Sequence, residues 1–111
     1  MSAMSSSLGF WSVDPATGVL TYCPTASAIL GVPESHSRVV PDVLLRLHAA
    51  DRRRLLRAGL RALKRRSTFD LVVLMRTPDG ARLLRVIGGP GYDAGQRDAH
   101  LHGVIEQIRP D

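Results

Sequence analysis

The side chains best suited to chemistry are few. The 111-residue sequence holds one thiol, Cys23, and four imidazoles, His36, His48, His100 and His102. A nucleophilic Cys–His pair needs hydrogen-bond contact between the two groups, and no spacing here demands it. His100 and His102 stand two apart on a strand-like segment and so share a face. That is at most half of a metal site, because no carboxylate or thiol at ligand spacing completes it. No phosphate-binding loop, Gly-x-Ser-x-Gly turn or His-Glu-x-x-His run is present. We therefore expect no catalytic residue and no metal.

Charge raises a different chemistry. The formal net charge is +5, from fifteen basic and ten acidic residues. A basic balance points to nucleic acid, anionic lipid or an acidic partner. Its distribution narrows this. Residues 1–33 sum to −1, residues 34–66 to +7 and residues 67–111 to −1. The surplus belongs to one segment, in which an Arg-rich face backs an apolar stripe. Aromatic content is only 5%, and no helix-turn-helix or RNA-binding signature accompanies it. Nucleic acid is therefore the third-ranked partner, behind a solvated helix face or docking to an acidic neighbour. We expect no nucleic-acid binding.

The remaining composition bounds the architecture. At 12.1 kDa the chain suits one domain with one core. A lone cysteine excludes an internal disulfide, and with it a stapled secreted scaffold. Residues 15–33 carry no charge, but Pro15, Gly18, Pro24, Gly31 and Pro33 interrupt any membrane-spanning helix. Met1 to Ser7 has neither a basic nor an apolar region of a signal peptide. The expectation is a cytoplasmic domain over 9–108, a disordered lead-in over 1–8, and the start of a linker over 109–111.

The elements that position these residues follow from pattern. Gly9–Asp14 and Val19–Tyr22 read as strands joined by a Pro- and Gly-containing turn. Pro24 to Leu30 reads as a short helix stopped by Gly31 and Pro33. Ser35 to Ser37 reads as loop, and Val39 to Leu47 has helical spacing. A longer helix follows from about Ala49 to Arg66, with Leu55, Leu56, Gly59, Leu60 and Leu63 as its stripe. His48 is placed to cap it, with Asp51 reaching back as in a capping box. Phe69 to Thr77 and Ala81 to Ile87 are strands around the turn Pro78-Asp79-Gly80. Gly88 to Asp98 reads as a loop and Ala99 to Ile108 as the last strand. The economical arrangement is α+β: a five-stranded antiparallel sheet with helices on one face.

These residues resemble the PAS domain, of the bacterial sensory-box type. Gly9-Phe10-Trp11-Ser12-Val13-Asp14 is similar to its opening strand, and Thr17-Gly18 through Gly31 to its second strand and first helix. Leu47-His48-Ala49-Ala50-Asp51-Arg52 resembles the family's His-Pro-Asp-Asp-Arg helix start, with Ala49 for the usual Pro. Phe69 through Gly80 resembles a later strand and its Pro-Asp-Gly turn. Gly103 to Ile108 resembles the closing strand, with Gln107 and Arg109 replacing residues of its usual Asp-Ile-Thr end. The resemblance implies a non-catalytic sensory module of a histidine kinase or diguanylate cyclase, relaying a signal to an effector domain of the parent chain. It leaves the cofactor unknown. It counts against flavin, since Cys23 does not match the light-sensing motif, and against haem, since His48 stands where related sequences commonly carry His without it.

Two faces of the sheet then carry the expectations. The inner face, with Trp11, Val13, Ile29, Leu44, Leu47, Leu56, Leu60, Leu71, Val73 and Met75, is the candidate pocket for a small apolar or amphipathic metabolite. On the outer face Val72, Leu74, Leu83 and Ile87 break the polar alternation of a wet sheet face. They are candidates for a homodimer interface, or for cover by a signalling helix or residues 1–8. The alternative to ligand sensing is a ligand-free dimerisation or scaffold module.

Overall fold

The protein is described by a computed structural model over residues 8–32, 37–91 and 100–108. The elements in order are β1 (Gly9–Asp14), β2 (Val19–Tyr22), α1 (Pro24–Leu30), β3 (Ser37–Val39), α2 (Val40–Leu44), α3 (Ala49–Arg65), β4 (Phe69–Thr77), β5 (Gly80–Gly91) and β6 (His100–Ile108). They form one antiparallel sheet in the order β3-β2-β1-β6-β5-β4. The five expected strands are joined by a sixth, the three-residue β3, in a segment read as loop and helix. The helical spacing from Val39 to Leu47 sustains only the five-residue α2. Beyond it, Leu47 instead forms a bridge to Met75 on β4.

The centre of the sheet is organised around one indole. Trp11 on β1 pairs with Gly103 on β6, which pairs with Gly88 on β5, which pairs with Phe69 on β4. The missing side chain of Gly88 leaves a slot into which the indole lies. A Cβ at Gly88 would stand 2.6 Å from the Trp11 ring, closer than atoms can approach. The indole N–H donates to the Val104 carbonyl at 3.1 Å, and the ring reaches Phe69 at a centroid distance of 6.3 Å. This corrects the loop reading over Gly88 to Gly91; the remainder of that reading, 92–98, lies outside the described residues. The strand runs on through Gly88, paired on both sides, to Gly89, Pro90 and Gly91, which pair with β6 alone. Pro90 is tolerated because β4 has no partner for it at that end.

Each helix is fixed by its ends. In α1, Gly31 adopts φ 68°, and the N–H groups of Gly31 and Val32 return to Ala28 and Ser27. Arg82 of β5 donates to the Ala28 and Ile29 carbonyls at 2.8 and 2.9 Å. For α3, His48 is the N-cap residue, but its side chain makes no capping hydrogen bond. Asp51 does not reach back either. Its carboxylate accepts the Leu74 N–H at 2.8 Å and pairs with Arg54 at 2.9 Å. The expected capping box is thus replaced by a link from the first helical turn to β4. Arg52 donates to the Leu44 and Leu47 carbonyls at the end of α2.

The core comprises buried Leu20, Tyr22, Ala26, Ile29, Leu30, Val32, Val43, Leu47, Val73, Met75, Leu84, Val86 and Ile105. Of these, Met75, Val73 and Leu84 are almost wholly enclosed. The stripe of α3 is not equally buried. Gly59 and Ala62 are inside, whereas Leu56 and Leu60 are 45% and 66% exposed. The sequence places these leucines on one helix face. It does not set how far that face stands from the sheet. No helix among the described residues is long and apolar enough to cross a membrane.

Candidate functional site

Between the sheet and α3 lies a cavity of about 320 Å³. Its floor is the inner face of the sheet: Trp11, Val13 and Leu20 on one side, Phe69, Val73, Met75, Leu84 and Val86 on the other, with Leu101 and Ile105 between. Leu30, Val40, Val43, Leu44 and Leu47 close one end. Leu55, Leu56, Gly59, Leu60 and Leu63 of α3 form the far wall. Pro15 and Gly18 of the β1–β2 turn complete the lining.

No lining residue has a titratable side chain, and the one side-chain polar group is the Trp11 indole N–H, already bonded to Val104. The space therefore offers neither a nucleophile nor an acid–base group. It offers apolar contact and exclusion of water. Its volume lies at the lower end of small-molecule pockets. At ~30 Å³ per methylene-sized group it admits a chain on the order of ten carbons.

Of the residues expected to line a pocket, Trp11, Val13, Leu44, Leu47, Leu56, Leu60, Val73 and Met75 are brought together around this cavity. Two are not. Ile29 is buried on α1 within the core, and half-buried Leu71 packs against the same core. Leu71 shares the inner face of β4 with Phe69, Val73 and Met75 but does not reach the cavity. The sequence reading missed Leu101 and Ile105 on β6 and Leu84 and Val86 on β5. Their signal was the strand alternation itself: each sits two residues from another inward-facing position.

The groups with chemical potential lie elsewhere. Cys23 precedes α1, where its sulfur accepts the Phe10 N–H at 3.1 Å, and this bond lowers the thiol's pKa. His48 and His102 are exposed, His100 is half-buried, and none lines the cavity. His36 lies outside the described residues. Among the described residues no group of His, Cys, Asp and Glu is placed to hold a metal ion.

On the outer face, Val72, Leu74 and Leu83 are 43%, 36% and 37% exposed. Ile87 is half-buried. Leu74 pairs with Leu83, which pairs with Ile108, making one apolar row. Ile87 pairs with Val104, which pairs with the exposed Phe10, making another. Between the rows Arg85 bonds both carboxylate oxygens of Asp70 and pairs with Glu106 at 3.6 Å. Arg85 holds the Asp70 carboxyl below its usual range and is itself held protonated. The suggested cover by residues 1–8 lies outside the described residues apart from Leu8, which is exposed.

Two sets of basic residues differ in what they meet. Arg46, Arg52, Arg54, Arg82 and Arg85 each bond a carbonyl or carboxylate of the fold. Arg53, Arg57, Arg61 and Lys64 are exposed on α3 and make no ion pair with a described residue.

An open antiparallel sheet with helices on one face and an apolar cavity beneath them defines an α+β architecture. No family model matches the sequence, and no curated protein matches it. Solved structures do. The chain is similar to a sensory box histidine kinase/response regulator from Burkholderia thailandensis, at 24% identity and TM-score 0.73, covering 91% of this chain and 76% of that one. It is similar to the N-terminal domain of a diguanylate cyclase with PAS/PAC sensor from Marinobacter aquaeolei, at 19% identity and TM-score 0.73, covering 89% and 93%. It also matches an RNA-binding light-oxygen-voltage receptor at 20% identity and TM-score 0.74, covering 95% of this chain and 31% of that one. The fold of this chain is the PAS fold.

Proposed function

We propose that this chain is a sensory module of a larger signalling protein, a histidine kinase or diguanylate cyclase. It binds a small apolar or amphipathic ligand and carries out no catalysis itself. The observation that supports this reading is the cavity of about 320 Å³ with an apolar lining, in a fold shared with sensor domains. Occupancy favours one seating of α3 over another, and the shift passes through the sheet to its outer face. There Val72, Leu74, Leu83 and Ile87 meet a second copy or the effector's helix.

Thermal melting of the purified protein against a panel of apolar and polar metabolites tests the reading. A ligand at one hundred times its Kd adds about 2.7 kcal/mol of stability. Stabilisation by apolar compounds alone is the expected result, and stabilisation by a dicarboxylate would contradict it. The exposed outer face favours a second reading, a ligand-free dimerisation module. It predicts a dimer at ~100 μM by sedimentation, a concentration that detects even weak association. Val72→Glu with Leu74→Glu dissociates that dimer, with no compound in the panel stabilising the protein.

A further inference from the structure

The cavity has a distinctive mouth. Leu56 and Leu60 line it and are yet 45% and 66% exposed, so its open side lies along these two residues of α3. On an α-helix, positions three and four apart are neighbours. Arg53 is three residues before Leu56, Arg57 three before Leu60, and Lys64 four after Leu60. All three cations are exposed, and none pairs with a carboxylate among the described residues. Their long side chains can lie along the leucines and keep their charges at the rim. Behind the rim the one polar side-chain group, the Trp11 indole N–H, is already bonded to Val104, so an ionised group buried there would lack a partner. A ligand with a charged end must therefore leave that end at the mouth, where the local charge is positive.

Resting on the reading of this cavity as a ligand site, we infer that it takes a single-chain amphiphile with an anionic head. The chain occupies the space over Trp11, and the head meets Arg53, Arg57 and Lys64. The shared chemistry is an unbranched chain on the order of ten carbons ending in a carboxylate or phosphate. Arg53, Arg57 and Lys64 then form a recognition edge, which explains why these three charges have no carboxylate partner among the described residues.

The test uses dodecanoate below its micelle concentration, with dodecanol, dodecyltrimethylammonium and phosphatidylglycerol vesicles as comparisons. Binding is read by calorimetry and by the emission of Trp11, the one tryptophan. Dodecanoate should bind at one per chain, more tightly than dodecanol, and dodecyltrimethylammonium weakest. Reversing the three charges, Arg53→Glu with Arg57→Glu and Lys64→Glu, should weaken dodecanoate about tenfold or more and leave dodecanol unchanged. The melting temperature shows that this variant is folded. Gly59→Met, which sends a side chain into the cavity, should abolish binding of both compounds; retained binding would overturn the site.

Equal affinity for dodecanoate and dodecanol, or indifference to the charge reversal, would overturn the inference and leave the apolar-ligand reading standing. Binding of none of the compounds would remove both. Vesicle binding that depends on Arg53, Arg57 and Lys64, without binding of monomeric dodecanoate, would overturn it in favour of a membrane-surface role for α3.

Discussion

The two helices that share the inner face of the sheet are seated in opposite ways. Helix α1 lies in contact with β1. Ala26 is wholly buried, and a Cβ at Gly9 would stand 2.5 Å from the Ala26 Cα. Helix α3 is longer and more amphipathic, but it buries only Gly59 and Ala62 and leaves a cavity beneath it. Its polar anchors lie at one end. Asp51 holds the Leu74 N–H, the His48 N–H reaches the Leu74 carbonyl, and Arg52 caps α2. The difference teaches where stability and adaptability reside. A helix packed backbone to backbone resists any change of volume, whereas one anchored at its first turn can yield at its middle.

The sharpest way to break this contrast is to add volume on each side. Gly9→Val should be the most damaging change, costing about 3 kcal/mol or more, because its neighbour is helix backbone that cannot move aside. Urea denaturation should show the lowered midpoint. Next comes removal of volume. Ile29→Ala on α1 should cost about 2–4 kcal/mol, and Leu60→Ala on α3 less than about 0.5 kcal/mol, since Leu60 is already mostly in water. Equal costs would show that α3 packs as tightly as α1. The smallest effect has the opposite sign. Gly59→Ala should stabilise by about 0.5–1 kcal/mol by helix propensity, because its Cβ would meet only the movable Leu101 tip at 3.3 Å. A lowered melting temperature would mean that this part of α3 is closely packed after all.

Much of the fold was legible from local signals. The bounds of β1, β2, α1 and β4 follow from alternation, a Pro at a helix start and turn residues, and the structure places them at the residues expected. What was not legible depends on partners distant in sequence. Gly88 and Gly89 look like loop residues. They lie in a strand because the Trp11 ring occupies the space above Gly88 and Thr68 stands against Gly89. Asp51 looks like half of a capping box, because nothing local announces that β4 will present the Leu74 N–H to it. Leu56 and Leu60 look like core because periodicity assigns a face without a depth. The cavity was legible as an apolar inner face and illegible as a shape: its mouth exists only because α3 stands off the sheet.

The link from Asp51 to Leu74 has a consequence for the fate of the chain in acid. β4 is an outermost strand, and such strands template the addition of other chains. Here part of that edge is occupied by the protein itself. The Arg76 N–H reaches the Arg46 carbonyl, Leu47 bridges Met75, and Asp51 takes the Leu74 N–H. The Leu74 N–H, chiefly, and Arg54 hold the Asp51 carboxyl below the usual carboxylate range. Its contribution is therefore complete above that range and is lost as pH falls through the lowered value. Protonation then weakens one of the hydrogen bonds that tie the first turn of α3 to β4. The same carboxylate that ties the cavity's far wall to the sheet thus also occupies a backbone donor on its open edge.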